Sequence, residues 1–216
     1  IIQDIESIVG EKGLITGKDV FNRKAGIWID DGIRADAIVR PKDTLELSRV
    51  LAICNENKQA VIPHGGLTGL AEGAITQRGQ IAISSERLTS IEEVDEIGRT
   101  MTLQAGVPLE KAQEEAEKYN LMLPVDLGAR GSCTVGGNIS TNAGGNMVIK
   151  YGMMRDSVLG LEAVLADGQV MTSMNQMLKN NSGYDLKQLF IGTEGTLGYV
   201  SKAVLRLREK PKSTNT

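Results

Sequence analysis

Hydrophobic positions near the start of the chain repeat with the period of an α-helix. Ile2, Ile5, Ile8 and Val9 share one face of such a helix, and Gly10 follows them directly. Apolar residues spaced three and four positions apart form one side of an α-helix, and glycine commonly stands just after its last residue. The pattern therefore predicts a short amphipathic helix that ends at Gly10.

The segment DAIVRPKDTLELSRVLAICNENKQAVIP, residues 36–63, places a helical pattern between two apolar runs. Asp43 and Glu46 have the spacing of a capping box at a helix start. The apolar face of this helix consists of Leu47, Val50, Leu51 and Cys54. The whole pattern predicts a βαβ unit, whose two strands are parallel. Because the second strand ends at Pro63, the turn after it lies at the carboxyl end of a parallel strand, the edge where ligands usually bind.

The segment GQIAISSERLTSIEEVDEIGRTMTLQAG, residues 79–106, has a different pattern. Its short, partly alternating apolar runs are separated by turn residues, which is typical of antiparallel strands. Further along, Pro108 opens a helix that we expect to continue through Tyr119. Asp167 and Gly168 predict a hairpin between two apolar runs, and residues 198–209 predict a final strand.

These elements predict an α+β fold with two parts. We expect residues 1–90 to form an N-terminal helix and a small parallel α/β subdomain, and residues 91–216 to form a larger antiparallel α+β subdomain. The sequence has no repeats and no low-complexity linker, so we expect the two parts to pack together.

Composition narrows the class of partner. The 216-residue chain is 41% hydrophobic, has a net charge of -3 and contains 3% aromatic residues. It lacks the basic character and the stacking side chains of nucleic-acid-binding proteins, so we expect a small-molecule ligand and no nucleic acid. No apolar stretch is long enough for a membrane span, and Cys54 and Cys133 match no metal or redox spacing. We therefore expect a cytoplasmic protein without a metal site. Because the sequence opens without Met and ends on a polar stretch, we also expect a segment of a longer protein.

Three glycine clusters stand out: PHGGLTG at 63–69, PVDLGARGSCTVGGNISTNAGG at 124–145 and GTEGTLG at 192–198. An ordered glycine costs roughly 0.5–1 kcal/mol relative to alanine, so clusters of glycine need a compensating interaction. Free N–H groups in a turn form an anion-binding nest, which suits a phosphate. Tight turns without a ligand are the alternative interpretation, and the presence of three clusters in one chain weakens it.

Common phosphate and hydrolase motifs are absent from the sequence. It contains neither GxGxxG nor GxxxxGK[ST], so it supports no Rossmann dinucleotide site and no P-loop. It also lacks GxSxG, and His64 is its only histidine, which argues against a catalytic triad and against a zinc site.

Three motifs together resemble a known family. PHGGLTG, PVDLGARGSCTVGGNISTNAGG and NSGYDLKQLFIGTEGTLG, in this order and spacing, are similar to the FAD-binding domain of the vanillyl-alcohol oxidase type. Within it they most resemble the branch of D-2-hydroxyglutarate and D-lactate dehydrogenases, over about residues 30–211. The resemblance implies two α+β subdomains with an extended FAD between them.

The resemblance also implies cofactor contacts. The first motif would wrap the FAD diphosphate, the second would follow the flavin toward its ring, and the third would close over the adenine half. The implied residues are Pro63, His64, Gly65, Gly66, Leu67, Thr68, Gly69, Pro124, Asp126, Leu127, Gly128, Ser132, Gly136, Gly137, Asn138, Thr141, Asn142, Glu194, Gly195, Gly198 and Val200. His64 is interpreted as a phosphate contact rather than a loop-surface residue. Arg130 and Lys150 are interpreted as surface charges rather than anion contacts.

By the same resemblance, the function is that of the FAD-binding module of a D-2-hydroxy-acid dehydrogenase. Such an oxidoreductase transfers a hydride from C2 of a D-2-hydroxy acid to flavin N5 and passes the electrons to a further acceptor, which the sequence does not identify. The family places its catalytic groups in a second domain after the flavin module. We therefore assign no catalytic residue, expect that C-terminal substrate domain to be absent, and expect exposed apolar surface that favours a homo-oligomer.

Two alternatives remain open from the sequence. One is a small complete flavoreductase, as in the related enolpyruvyl reductases of cell-wall synthesis. The other is a non-catalytic flavin- or nucleotide-binding subunit that kept the fold and lost the chemistry.

We predict that FAD is bound non-covalently. Some relatives attach FAD through a histidine just after the paired glycines of the first loop, and Leu67 occupies that place here. Acid precipitation of the FAD-loaded protein should therefore leave a colourless pellet and a yellow supernatant. A pellet that keeps the yellow colour would contradict the prediction.

Overall fold

The computed structural model describes residues 1–27 and 29–213. The end of the predicted antiparallel subdomain, residues 214–216, lies outside the described residues. Within the described part, no helix combines the length and the apolar character that crossing a bilayer requires.

The helices and strands are numbered in chain order. The strands are β1 (Leu14–Thr16), β2 (Lys24–Gly26), β3 (Ile29–Gly32), β4 (Ala37–Val39), β5 (Ala60–His64), β6 (Gln80–Ser84), β7 (Ile91–Asp95), β8 (Thr100–Gln104), β9 (Leu121–Met122), β10 (Val158–Val164), β11 (Val170–Ser173), β12 (Tyr199–Arg206) and β13 (Arg208–Glu209). The α-helices are α1 (Ile2–Val9), α2 (Lys18–Phe21), α3 (Thr44–Glu56), α4 (Leu109–Glu117), α5 (Val135–Ser140), α6 (Val148–Tyr151) and α7 (Met154–Ser157). Short 3₁₀-helices span Glu11–Gly13 and Leu186–Leu189.

The first sheet has four strands in the order β1-β4-β6-β5. Strands β4 and β5 are both parallel to β6, and α3 connects them, so the predicted βαβ unit with parallel strands is present. The predicted antiparallel character of residues 80–84 is wrong, because β6 lies between the two parallel strands. Its inner residues Ile81, Ala82 and Ile83 are all buried. A continuous apolar run of this kind belongs to a strand that is covered on both faces, as in parallel sheets.

The second sheet has five antiparallel strands in the order β11-β10-β12-β8-β7. The hairpin predicted at Asp167 and Gly168 joins β10 to β11; Gly168 adopts a φ of 86°, and the Leu165 N–H donates to the Gln169 carbonyl over 2.8 Å. The predicted final strand is β12. The helix predicted from Pro108 to Tyr119 is α4, which is capped by Pro108 and ends at Glu117.

Helix α5 lies inside the second glycine cluster, where the sequence pattern predicts no helix. Its sequence VGGNIS has poor helix propensity because glycine is costly in a helix interior. Contacts with the segment that follows β8 compensate for this cost: Val135 N–H donates to the Val107 carbonyl over 2.9 Å, and Gly136 N–H donates to the Ala105 carbonyl over 2.7 Å. The tertiary structure therefore determines this helix.

The two sheets share a hydrophobic core. Tyr199 of β12 and Val164 of β10 belong to the same buried cluster as α1, α3 and β6. Helix α3 also bonds to the second sheet, since Ser48 Oγ donates to the Gly168 carbonyl over 2.6 Å. The change from one sheet to the other falls between Ser84 and Ile91. Because the sheets pack into one core, a division into separate subdomains near residue 90 stays a prediction.

The capping of α3 follows the sequence with one difference. Asp43 Oδ1 accepts a hydrogen bond from Glu46 N–H over 2.8 Å. The Glu46 carboxylate accepts the second hydrogen bond from the N–H of Lys42, over 2.9 Å, instead of from the N–H of Asp43.

We predict that Asp43→Ala destabilises the protein and that Asp43→Asn does not. An N-cap acceptor contributes about 0.5–2 kcal/mol, and asparagine caps about as well as aspartate. Urea denaturation of the two variants would measure the difference in free energy of unfolding. Equal stability of Asp43→Ala and the unmodified protein would show that α3 does not depend on this cap.

Candidate functional site

A cavity of about 620 Å³ lies where the carboxyl ends of β5 and β6 meet the second sheet. Its wall combines the loop after β5, the glycine-rich stretch around α5, and residues 194–200 at the start of β12. This size is typical of small-molecule sites, which range from about 300 to 1,000 Å³.

Most residues that the sequence assigns to cofactor binding line this cavity. They are Pro63, His64, Gly65, Gly66, Leu67, Thr68, Gly69, Leu127, Gly128, Gly136, Gly137, Asn138, Thr141, Glu194, Gly195 and Val200. The three motifs, which are far apart in the sequence, therefore meet in one place. Their individual contacts to a cofactor stay predictions.

The remaining predicted residues lie outside the wall. Pro124 is buried, and Asp126 Oδ2 accepts a hydrogen bond from Asn146 Nδ2 over 3.2 Å. Asn142 Oδ1 accepts a bond from the Arg155 N–H over 3.0 Å. In this structure the polar side chains of Asp126 and Asn142 hold neighbouring segments of the chain.

Several lining residues were not predicted from the sequence. They are Ala25, Ile29, Leu70, Ala71, Glu72, Gly73, Ala74, Ile75, Ser85, Ala105, Ala129, Cys133, Thr134, Ser140, Ala143 and Tyr199. Residues 70–74 directly continue the first glycine motif, so extending that motif would have found them. Ser85 follows the last residue of the parallel strand β6, a position that favours ligand sites once the strand order is known. Ala105 follows the antiparallel strand β8 and carries no such signal. Ala25 and Ile29 carry no sequence signal.

The loop after β5 presents its main chain to the cavity. Among residues 1–27 and 29–213, no hydrogen-bond acceptor is found for the N–H groups of residues 66–74. Leu67 and Glu72 adopt left-handed backbone conformations, with φ of 54° and 62°. Successive N–H groups in such mixed conformations form a concave anion-binding nest. Free N–H groups in such a loop suit an anion such as a phosphate group.

The glycines of α5 differ from this first loop. Gly136 N–H is used by the Ala105 carbonyl, and Gly137 N–H reaches Thr134 Oγ1 over 3.3 Å. Both N–H groups are therefore satisfied within the protein. In the part of the chain that the structure describes, the longest run of N–H groups without an acceptor lies in the first loop, and residues 127–129 add a shorter one to the wall.

Gly66 allows two of the motifs to touch. A Cβ atom at this position would lie 2.0 Å from the carbonyl oxygen of Ser132. Ser132, one of the predicted residues outside the wall, therefore supports the first loop through its main chain. By contrast, a Cβ at Gly69 would meet nothing within 4 Å.

The third motif also packs against the first. Gly195 adopts a φ of 81°, and a Cβ there would lie 2.6 Å from Pro63 Cγ. Gly198 lies outside the wall and packs against the ring of Phe190, which a Cβ would approach to 2.9 Å. Close approach between chain segments therefore explains both glycines.

His64 ties together the two ends of the first loop. Its ring is buried, and Nε2 lies 2.8 Å from the Ala74 carbonyl oxygen. Because a carbonyl only accepts, Nε2 carries the proton. Burial lowers the pKa of the imidazole below its ordinary value, so the ring is neutral near pH 7. A contact between His64 and phosphate stays a prediction.

Tyr199 connects the same histidine to the second sheet. Its hydroxyl donates to the His64 carbonyl over 3.2 Å, and that carbonyl also accepts from the Ser85 N–H over 3.0 Å. Burial raises the pKa of the Tyr199 hydroxyl well above its usual range. Tyr199 is therefore a neutral donor that fixes the start of the loop.

Cys133 is a thiol in the cavity wall. Burial raises its pKa, and Asn138 Nδ2 lies 3.6 Å from its Sγ. A nucleophilic cysteine requires a lowered pKa, so Cys133 does not have the environment of one.

The cavity wall carries little charge of its own. In the described part of the chain, no lysine or arginine lines it, while Glu72 and Glu194 do. Arg130 lies outside the wall and pairs with Glu110 over 3.6 Å, and Lys150 lies over the ring of Tyr151. Nor do the described residues include a group of three or more His, Cys, Asp or Glu side chains that could hold a metal ion. An anion here would be met by main-chain N–H groups.

Comparison with known proteins identifies similar sequences and folds. A family model described as FAD binding domain matches residues 35–173. The chain is 45% identical over 181 residues to the mitochondrial D-2-hydroxyglutarate dehydrogenase of Danio rerio, covering 84% of this chain and 34% of that protein. It is 45% identical over 179 residues to the D-2-hydroxyglutarate dehydrogenase of Xanthomonas citri pv. viticola, covering 83% of this chain and 38% of that protein. The chain thus spans little more than a third of the length of these curated relatives.

The fold is also similar to a solved structure. Alkyldihydroxyacetonephosphate synthase superposes with a TM-score of 0.86 over 98% of this chain and 40% of that chain, at 22% identity. At this identity the match shows a shared fold only. It agrees with the α+β fold of two sheets described above.

We predict that Gly66→Ala destabilises the protein and that Gly69→Ala has little effect. The added methyl group at Gly66 must displace Ser132, and overpacking of this kind costs about 1–3 kcal/mol. Gly69 faces open space, so we expect a change within about 0.5 kcal/mol there. Thermal unfolding of the cofactor-free protein measures the change in stability of each variant. Similar melting temperatures for the two variants would mean that the motifs do not touch at Gly66.

Proposed function

The chain belongs to the family of FAD-binding domains, and from this premise we propose that it is the flavin-binding module of a D-2-hydroxy-acid dehydrogenase. The observation that carries the proposal is the run of main-chain N–H groups at residues 66–74, which have no acceptor among the described residues and lie at the edge of a cavity between two sheets. The proposed reaction is oxidation at C2 of a D-2-hydroxy acid of the lactate or 2-hydroxyglutarate class.

The residues of the cavity fit an extended dinucleotide. The free N–H groups suit a diphosphate, because hydrogen bonds to a charged acceptor contribute about 1.5–3 kcal/mol each. Ile29, Leu67 and Leu127 give the wall apolar surface for ring systems, and Thr68 and Asn138 offer polar atoms for hydroxyl groups. FAD combines these three kinds of group.

We propose that FAD is held without a covalent bond. A covalent link needs an activated nucleophile in the wall. His64 Nε2 is bonded to Ala74, the Cys133 thiol has a raised pKa, and Leu67 offers no nucleophilic atom. The wall therefore provides binding contacts only.

The chain's own residues orient the cofactor and exclude water from one side of it. When bound, FAD supplies the acceptor for the hydride that leaves the hydroxy acid. The reaction also needs a base for the hydroxyl proton and a cation for the substrate carboxylate. In the described residues, the cavity wall offers no lysine or arginine, and the His64 ring is committed to Ala74. We therefore propose that this module does not supply the substrate-binding groups.

The remaining expectations about partners and location stay proposals. The zebrafish relative is named as mitochondrial, which does not support the cytoplasmic location expected from the sequence. Self-association or docking of a further domain would cover exposed apolar side chains such as Ile149 and Tyr184, which are 98% and 95% exposed. None of the described residues identifies the electron acceptor.

Titration of the cofactor-free protein with FAD tests the proposal. We expect heat of binding and thermal protection with FAD, and much weaker binding of NAD, which has the same diphosphate-linked adenosine but no flavin. D-2-hydroxyglutarate should bleach the flavin in the natural gene product that contains this sequence, and the L enantiomer should not. With this chain alone we expect no bleaching.

Each other outcome has a distinct meaning. Absence of FAD binding by correctly folded protein would contradict the proposal. Equal affinity for FAD and NAD would favour a non-catalytic nucleotide-binding subunit. Bleaching by the D acid with this chain alone would show that it carries its own substrate site, as a small complete flavoenzyme does.

A further inference from the structure

Ser85 has a fixed position at the floor of the cavity. It directly follows β6 and is only 3% exposed. Its N–H donates to the His64 carbonyl over 3.0 Å, and its carbonyl accepts from the Leu88 N–H over 2.9 Å. Both main-chain groups are therefore engaged, which fixes the main chain of Ser85 beside the cavity.

The Ser85 hydroxyl lacks a hydrogen-bond partner in the described residues. Its Oγ is fully buried, and no protein atom there forms a hydrogen bond of normal geometry with it. The neighbouring Tyr199 hydroxyl gives its proton to the His64 carbonyl. A buried polar group without a partner is costly, so such groups in folded proteins usually have a ligand or a water as partner.

Location distinguishes Ser85 from the other unpartnered groups. Arg40 Nε and Thr102 Oγ1 are also buried without a partner, but neither residue lines the cavity. Ser85 does line it, so its unpartnered hydroxyl belongs to a residue of the cavity wall. Thr102 thus provides a matched control: a buried hydroxyl without a partner that lies away from the cavity.

We infer that the Ser85 hydroxyl donates a hydrogen bond to the adenosine diphosphate half of bound FAD. One hydrogen bond joins Ser85 to His64, the residue from which the loop with free N–H groups begins. A diphosphate held by that loop brings acceptor oxygens to this part of the cavity, and a hydroxyl without a protein acceptor is free to donate to them. The inference rests on the proposed function and adds a specific side-chain donor to it.

The test compares Ser85→Ala, Ser85→Cys and the control Thr102→Val. Binding of FAD and of ADP is measured by calorimetry, and the melting temperature is measured without ligand. For Ser85→Ala we expect the dissociation constants of both ligands to rise about tenfold, the equivalent of one hydrogen bond. Ser85→Cys, which keeps the size but donates weakly, should behave in the same way. Neither substitution should lower the melting temperature, because each removes an unpartnered hydroxyl.

The control separates a ligand contact from a general effect of a buried hydroxyl. Thr102→Val should leave both dissociation constants unchanged. If Ser85→Ala binds ADP and FAD as tightly as the unmodified protein, or weakens FAD alone, the inference is wrong. A lower melting temperature of Ser85→Ala without ligand would also overturn it, since the hydroxyl would then serve the fold. Failure of the unmodified protein to bind FAD would instead reject the proposed function.

Discussion

The open main chain of residues 66–74 is the constraint on which the site depends. A loop with this many free N–H groups would gain by folding onto nearby acceptors, and specific contacts prevent it. His64 joins the start of the loop to Ala74, Tyr199 anchors His64 to the second sheet, and Gly66 rests against Ser132. The shared core of the two sheets makes these contacts possible, because it places three distant motifs within reach of one another.

The parts of the fold with strong periodicity are predictable from the sequence. Helices α1, α3 and α4 have apolar residues at helical spacing, and the glycine turn between β10 and β11 has a recognisable pair of residues. The direction of β6 is not predictable in the same way, since a short apolar run fits either kind of sheet until its neighbours are known. Helix α5 has no helical signal in the sequence, because glycines stand in its interior. It forms because contacts with Ala105 and Val107 compensate for those glycines.

The sequence predicts which segments form the candidate site, but it does not predict which of their groups are free to bind a ligand. Glycine clusters identify the segments that meet, yet similar glycines serve different purposes: Gly66 allows loop contact, while Gly69 faces open space. Which N–H groups remain free depends on hydrogen bonds between distant residues. Ser85 and Tyr199 have no motif of their own and reach the cavity only through the packing of the two sheets.

Amide hydrogen exchange of the protein with and without FAD tests the central claim most directly. Exchange reports the protection of individual N–H groups, so it shows which of them a bound ligand covers. If the main chain of residues 66–74 holds the diphosphate, saturating FAD should slow exchange in that segment more than in the α5 segment, whose N–H groups are already bonded. Unchanged exchange at 66–74, with protection elsewhere at full occupancy, would contradict the account.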